Sequence, residues 1–246
     1  MPTFFLSPDA IRDGSVYLGE HNTAHLKALR LRNGEMLTVS DGNGWEYRCV
    51  YRGMAEGEGT AEILDRSACL TEPSLRVHVF AALPKGDKTE LILQKAVELG
   101  AADVCFFLSS RCVSRPDESA VRKRLDRLVR VSEEAAMQSG RGIIPKVKWS
   151  PQFADMVSDA ASSDLALFLW EEAVGTSLRS ALRSFPGKPA DLALVSGPEG
   201  GFSREEAEQA ERGGLIPITL GKRILRCETA PLCALSAVMF ETENLE

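Results

Sequence analysis

Over roughly the first 70 residues, apolar and polar positions alternate in short runs broken by glycine. This is the period of half-buried strands. The stretch "EMLTVSDGNGWEYRCVYRGM" predicts two strands around Asp41-Gly42-Asn43-Gly44, a hairpin turn rich in residues that accept positive φ. "GTAEILDRSAC" predicts another strand, and "TAHLKALRLRNG" a short helix ended by Gly34. Short strands joined by glycine turns predict a small barrel or sandwich. Residues 70–74, "LTEPS", read as a linker.

After Pro73 the pattern changes. "RVHVFAALP", "ADVCFFLS", "LALFLW", "LALVSG" and "IPITL" are short, nearly continuous apolar runs, as expected of strands buried on both faces. Between the first two, "KTELILQKAVELG" repeats Ile92, Ala96 and Leu99 on one face and stops at Gly100. Residues 117–139 carry Val121, Leu125, Leu128, Ser132 and Ala135 on one stripe. Both segments read as helices, and a last helix is expected over Pro231–Phe240. Strands alternating with helices predict an α/β domain with a mostly parallel sheet. The two patterns divide the chain into domains 1–72 and 73–246.

Composition narrows the class. The apolar fraction is 44% of 246 residues, enough for a packed core without staples. No apolar run approaches a bilayer span and no signal peptide is readable, so a cytoplasmic chain without a membrane partner is expected. Six cysteines without C-x-x-C spacing predict buried free thiols. His21 and His25 stand at i, i+4 but lack a third ligand and the glutamate of a zinc helix, so no metal is expected. The net charge of −6 argues against indiscriminate polyanion binding. Residues 111–130 nevertheless hold seven basic side chains against Asp117, Glu118 and Asp126. Phosphate contact and a solvated helix face both account for that run.

Two loops carry candidate chemistry. In "LALVSGPEGGFSREE", a strand breaks at Gly197, and Gly200 and Gly201 let a ligand approach bare backbone. Ser203 and Glu206 form a capping box for the helix that follows. The glycine spacing is not the dinucleotide fingerprint, and Glu199 would repel a diphosphate, so a neutral or cationic ligand is expected. In "ITLGKRILRCETAPL", Gly221 follows a strand and Pro231 opens a helix. Ile224 and Leu225 offer apolar walls for a flat ring beside Arg226 and Glu228. Both loops fall at the C-terminal ends of strands, where open α/β sheets bind ligands. No nucleophile elbow or activated cysteine is present, which argues against covalent hydrolysis.

In chain order, "KTELILQKAVELGA", "QSGRGIIP", "GPEGGFSREE" and "LGKRILRCETA" resemble the RsmE family, 16S rRNA (uracil-N3)-methyltransferases of the SPOUT superfamily. "HLKALRLRNGEMLTVSDGNGWEY" is similar to that family's PUA-like barrel. Met137 departs from the glutamate the family often has before Gln138. The resemblance implies a PUA-like RNA-binding barrel over 1–72 and a SPOUT domain with a deep trefoil knot over 73–246. It also implies a homodimer and S-adenosyl-L-methionine as cofactor. The implied cofactor contacts are Leu169, Trp170 and Glu171, then Gly197, Glu199, Gly200 and Gly201, then Leu220, Gly221, Ile224, Leu225, Arg226, Thr229 and Ala230. The implied reaction methylates N3 of one uridine in 16S rRNA within the assembled small ribosomal subunit. N3 carries a proton at neutral pH, so transfer requires its removal as well as alignment. Glu228 is the candidate base, and Arg226 the candidate for steadying charge on the uracil. Arg30, Arg32, Arg111, Arg115 and Arg141 are expected to meet RNA, Arg141 alternatively the partner subunit. Two other readings stay open from sequence: ribose 2′-O methylation on the same fold, and an RNA-binding factor without catalysis.

Overall fold

The computed structural model describes residues 1–55 and 57–245, with the side chain of His21 outside the described residues. The chain divides into two compact units, 1–72 with 136–144, and 73–135 with 145–246.

The first unit contains β1 (Thr3–Phe5), β2 (Ile11–Arg12), β3 (Ser15–Tyr17), α1 (Gly19–Leu29), β4 (Met36–Ser40), β5 (Trp45–Ala55) and β6 (Glu58–Ala68). Among the described residues these strands form one six-stranded sheet in the order β1-β4-β5-β6-β3-β2. β1 pairs parallel with β4 and the other pairings are antiparallel. The predicted β4–β5 turn is closed by Asp41, whose carboxylate accepts from the backbone N–H of Asn43 and Trp45. Inward positions of the strands and α1 meet in a core of Phe4, Val16, Leu18, Leu26, Leu37, Val39 and Cys49. The Arg66 guanidinium stacks 4.0 Å from the centre of the Trp45 ring. Helix α1 stops before the expected Gly34. Arg30 takes the left-handed conformation at φ 54° and its N–H bonds back to Leu26 and Lys27, so an arginine fills a place usually given to glycine. Segment 136–144 is tied in through Ser40, which donates to the Gly142 carbonyl at 2.8 Å.

The second unit runs β7 (Arg76–Ala82), α2 (Lys88–Glu98), β8 (Asp103–Phe107), α3 (Glu118–Ser139, whose last turn falls in segment 136–144), β9 (Lys146–Ser150), α4 (Phe153–Ala160), β10 (Leu165–Leu169), α5 (Leu178–Ser184), β11 (Asp191–Ser196), α6 (Arg204–Arg212), β12 (Ile216–Ile218) and α7 (Thr229–Glu241). Its strands lie in the order β12-β10-β11-β7-β8-β9, every pairing parallel. β8 and β10 are buried at every position, as their unbroken apolar runs predict. Helix α2 packs with α7, and α4 with α6. Phe80, Phe107, Phe168 and Val195 of the strands join Met156 of α4 and Ala207 of α6 in one core.

At the N-terminal ends of the strands a polar ladder crosses the sheet. His78 bonds Asp103 through Nδ1 at 2.9 Å and Asp191 through Nε2 at 3.0 Å. Arg76 extends the ladder to Asp191, and Lys148 to Asp103 at 2.9 Å. All six cysteines are free. Cys49, Cys105, Cys112 and Cys227 are buried as expected, but Cys69 is half-buried and Cys233 exposed. Cys69 lies just past the end of β6, and Cys233 on the outward side of α7.

Candidate active site

In the second unit, the exits of β10, β11 and β12 surround a cavity of about 660 Å³, within the range that holds small ligands. Leu169, Trp170, Glu171 and Ala173 come from the first exit, and Gly197, Pro198, Glu199 and Gly201 from the second. The segment from Ile218 to Cys227, with Ala230, forms the third wall. Segments far apart in the chain thus converge because parallel strands all end on one rim.

Each wall has a local cause. After β11 the Gly201 N–H donates to the Pro198 carbonyl at 2.9 Å and closes a tight turn. Gly201 has φ +64°, and a Cβ there would collide with the Glu171 carboxylate. The turn ends in the predicted capping box, with Ser203 and Glu206 exchanging bonds across the first turn of α6. Glu206 does more than cap: buried, it also accepts from the Ser110 N–H at 2.7 Å and the Ser109 hydroxyl at 3.2 Å, fixing the exit of β8. Arg111 donates to the Gly200 carbonyl at 2.9 Å. After β12, Thr219 accepts from the Gly221 N–H at 3.1 Å, and Gly221 has φ +107°. Leu169, Trp170, Ile218, Leu220 and Leu225 supply apolar wall. The Trp170 indole N–H is buried with no hydrogen-bond partner among the described residues.

The charges are organised around Lys88, the first residue of α2. Its ammonium lies 3.1 Å from Glu199 and 3.1 Å from Glu228, and 3.6 Å from the Cys227 sulfur. Glu199 also accepts from the Lys85 N–H at 3.0 Å. Hydrogen bonds to Glu228 and then to Glu199 hold the Lys88 pKa above its ordinary value, against the opposing effect of burial. Burial works against the charge of both glutamates, but backbone and side-chain hydrogen bonds outweigh it and lower both pKa values. Burial, with the Glu228 carboxylate beside it, pushes the Cys227 thiol up to about 12. The thiol therefore stays protonated and donates to Glu228 at 3.2 Å.

Of the residues expected to bind cofactor, Leu169, Trp170, Glu171, Gly197, Glu199, Gly201, Leu220, Gly221, Ile224, Leu225, Arg226 and Ala230 line the cavity. Gly200 stands outside the lining, under Arg111, and Thr229 is exposed at the start of α7. Arg226 is on the wall and exposed, and its guanidinium makes no ion pair among the described residues. Glu228 stands behind the wall against Lys88. Arg30 and Arg32 belong to the first unit, Arg30 exposed and Arg32 bonded through its backbone N–H to Glu35. Arg111 and Arg115 reach backbone carbonyls with their guanidinium groups, Arg115 those of Ser109 and Ser110. Arg141 is buried and holds Glu72 through two nitrogens, at 2.9 and 2.7 Å, so it is not open to a polyanion. The structure adds Lys88, Pro198, Thr219, Lys222, Arg223 and Cys227 to the cavity wall. Lys88 has a readable signal: a cation at a helix N-terminus is in the wrong place for the helix dipole.

Residues 71–239 match the family of RNA methyltransferase domains. The ribosomal RNA small subunit methyltransferase E of Bacillus subtilis is 32% identical over 230 residues, which cover 92% of this chain and 90% of that protein. The Mycobacterium bovis protein of the same name is 35% identical over 215 residues, covering 85% and 79%. The crystal structure of ribosomal RNA small subunit methyltransferase E from Neisseria gonorrhoeae, bound to S-adenosyl methionine, superposes with a TM-score of 0.86 at 30% identity, covering 98% of both chains.

Proposed function

The chain belongs to the ribosomal RNA small subunit methyltransferase E family, and from that premise we propose that the cavity holds S-adenosyl-L-methionine for methylation of uridine N3 in 16S rRNA. The chain is an S-adenosylmethionine-dependent RNA methyltransferase. One observation carries the assignment of the cavity: twelve residues named from sequence motifs line a single cavity at the ends of three parallel strands. The donor set suits the cofactor. The apolar wall fits an adenine, glycine backbone fits a ribose, and Glu171 and Glu199 tolerate a cation.

Bound cofactor supplies the methyl group on a cationic sulfur, an electrophile needing no metal. The protein supplies position and charge. Arg226, exposed on the wall with no ion pair among the described residues, meets the uracil and stabilises negative charge as N3 loses its proton. In this proposal Glu228 takes that proton through one bridging water, because its carboxylate stands behind the wall against Lys88. Its lowered pKa makes it a weak base, so Arg226 and alignment carry the larger share of the barrier. Arg30 and Arg32 are proposed to hold RNA on the first unit, read as a PUA-like barrel over 1–72, and Arg111 and Arg115 on the second, 73–246.

The finer architecture is also proposed. β12 lies at the sheet edge beside β10, yet α7, reached through residues 219–228, packs on β11, β7 and α2. That return across the strand ends supports a threaded trefoil knot. α7 buries Ala234, Leu235, Val238 and Met239, while Cys233 and Phe240 are exposed on its other side, which supports a homodimer through this helix. Among the described residues no helix is long and apolar enough to cross a membrane, and no group of three or more His, Cys, Asp or Glu could hold a metal. We place the reaction in the cytoplasm, on the small ribosomal subunit.

Nucleoside mass spectrometry tests the reading. Small subunits lacking the modification, incubated with protein and S-adenosylmethionine, should gain 3-methyluridine. A ribose-methylated product would overturn the N3 assignment, and absence of methyl transfer would overturn the proposal.

A further inference from the structure

Lys88 unites three parts of the chain that meet nowhere in sequence. Its stem rises from the first residue of α2, just after β7. Glu199 belongs to the turn after β11, and Glu228 to the entry of α7. Both carboxylates reach the same ammonium at 3.1 Å. Glu228 occupies the N-cap of α7 but makes no side-chain cap bond, although capping is what a carboxylate at that place ordinarily does. Its side chain is committed to Lys88 and Cys227 instead. Lys88 likewise forgoes the favourable end of its helix. The three side chains are between 17% and 33% exposed, so the ion pairs are partly shielded from solvent.

We propose that Lys88 is a positioning residue for methyl transfer: its ammonium latches the 197–201 turn to the 220–228 loop and so fixes the two cavity walls against each other. The inference rests on the methyltransferase reading of this cavity. Without the ammonium, two carboxylates held near one point repel each other, and the walls that carry them part. The Glu199–Lys85 bond would hold only one of the two. Activation of Cys227 by the lysine is not the role, because that thiol is buried, protonated and bonded to Glu228.

The test compares Lys88→Met and Lys88→Arg with the parent, reading cofactor Kd by calorimetry, kcat and KM for each substrate, and the pH–rate profile. For Lys88→Met the cofactor Kd should weaken and kcat fall by roughly 10- to 100-fold, the cost of an ångström-scale displacement, with KM for RNA nearly unchanged. The acid limb of the profile should move to higher pH, since Glu228, facing only Cys227 and Glu199 in place of the ammonium, becomes easier to protonate. Lys88→Arg, which can bridge two carboxylates, should recover most of both effects. An active Lys88→Met with parental cofactor Kd and pH profile would overturn the latch while leaving the methyltransferase reading intact; an inactive parent would count against that reading alone. Should Lys88→Met fail to fold, Glu228→Gln decides, because Glu228 pairs with Lys88 at 3.1 Å without lining the cavity: a weaker cofactor Kd supports the latch, and a parental Kd overturns it.

Discussion

Single side chains decide the chemistry at this site, and the amino-acid pattern marks some of them while hiding others. Arg226 stands out as a charge between apolar residues and the start of a helix. Arg226→Ala should lower kcat by about 10²- to 10³-fold with a much smaller change in cofactor Kd, measured by single-turnover methyl transfer and calorimetry. Gly201 reads as a turn glycine, but its closeness to Glu171 does not, because the two follow different strands. Gly201→Ala would place a side chain in a left-handed conformation at a cost of about 1–2 kcal/mol and displace Glu171. A fall in Tm of about 2–8 °C should accompany a several-fold weaker cofactor Kd. Glu199 reads as a reason to reject a diphosphate, while its pairing with Lys88 does not, because the two follow different strands. Arg141 misleads for the opposite reason: its charge is legible, its burial against Glu72 is not.

Elements are legible where burial leaves a complete pattern. β8 and β10 are buried throughout and read as apolar runs, and α3 shows its stripe over many turns. β9 escapes notice because "KVKWS" has no fully buried position, so neither alternation nor an apolar run stands out. β1, β2 and β3 are only two or three residues long, too short for any period. α4 and α5 span only about two turns, so although Phe153, Met156, Val157 and Ala160 share one face of α4, the stripe is too short to stand out. The capping box of α6 is legible, its bonds to the β8 exit are not. Glu206→Ala should therefore cost about 2–3 kcal/mol, more than the roughly 1 kcal/mol of a cap alone, with Ser203→Ala as the comparison in urea unfolding. The strand-crossing ladder makes stability depend on pH. The hydrogen bond to Asp103, then that to Asp191, raises the His78 pKa against burial. Its contribution is full below the ordinary value of 6.5 and is lost as pH rises through the higher folded value. The partners Asp103 and Asp191 have lowered pKa values, Asp103 through His78 and Lys148 against burial, Asp191 through Arg76 and His78. Their contribution is lost as pH falls below the ordinary carboxylate range. His78→Gln should flatten the decline in stability just above neutrality and reduce the acid decline to the part that Lys148 and Arg76 sustain.

At the scale of the whole molecule, the net charge of −6 puts the burden of RNA affinity on local basic surface, so binding should weaken steeply with salt. The homodimer proposal makes Phe240, 64% exposed on α7, a test of assembly. Phe240→Glu should halve the mass seen by analytical ultracentrifugation and lower activity with it; a parent that sediments as a monomer would remove the dimer from the account. The chain also carries its own optical probe. Of its three tryptophans, Trp45 stacks against a guanidinium in the first unit, Trp149 lies in β9, and Trp170 stands in the cavity wall. Emission from Trp170 should therefore shift in wavelength as a ligand fills the cavity, and a Trp170→Phe chain should be silent. Occupancy could then be followed in real time, without a label and before any methyl group has moved.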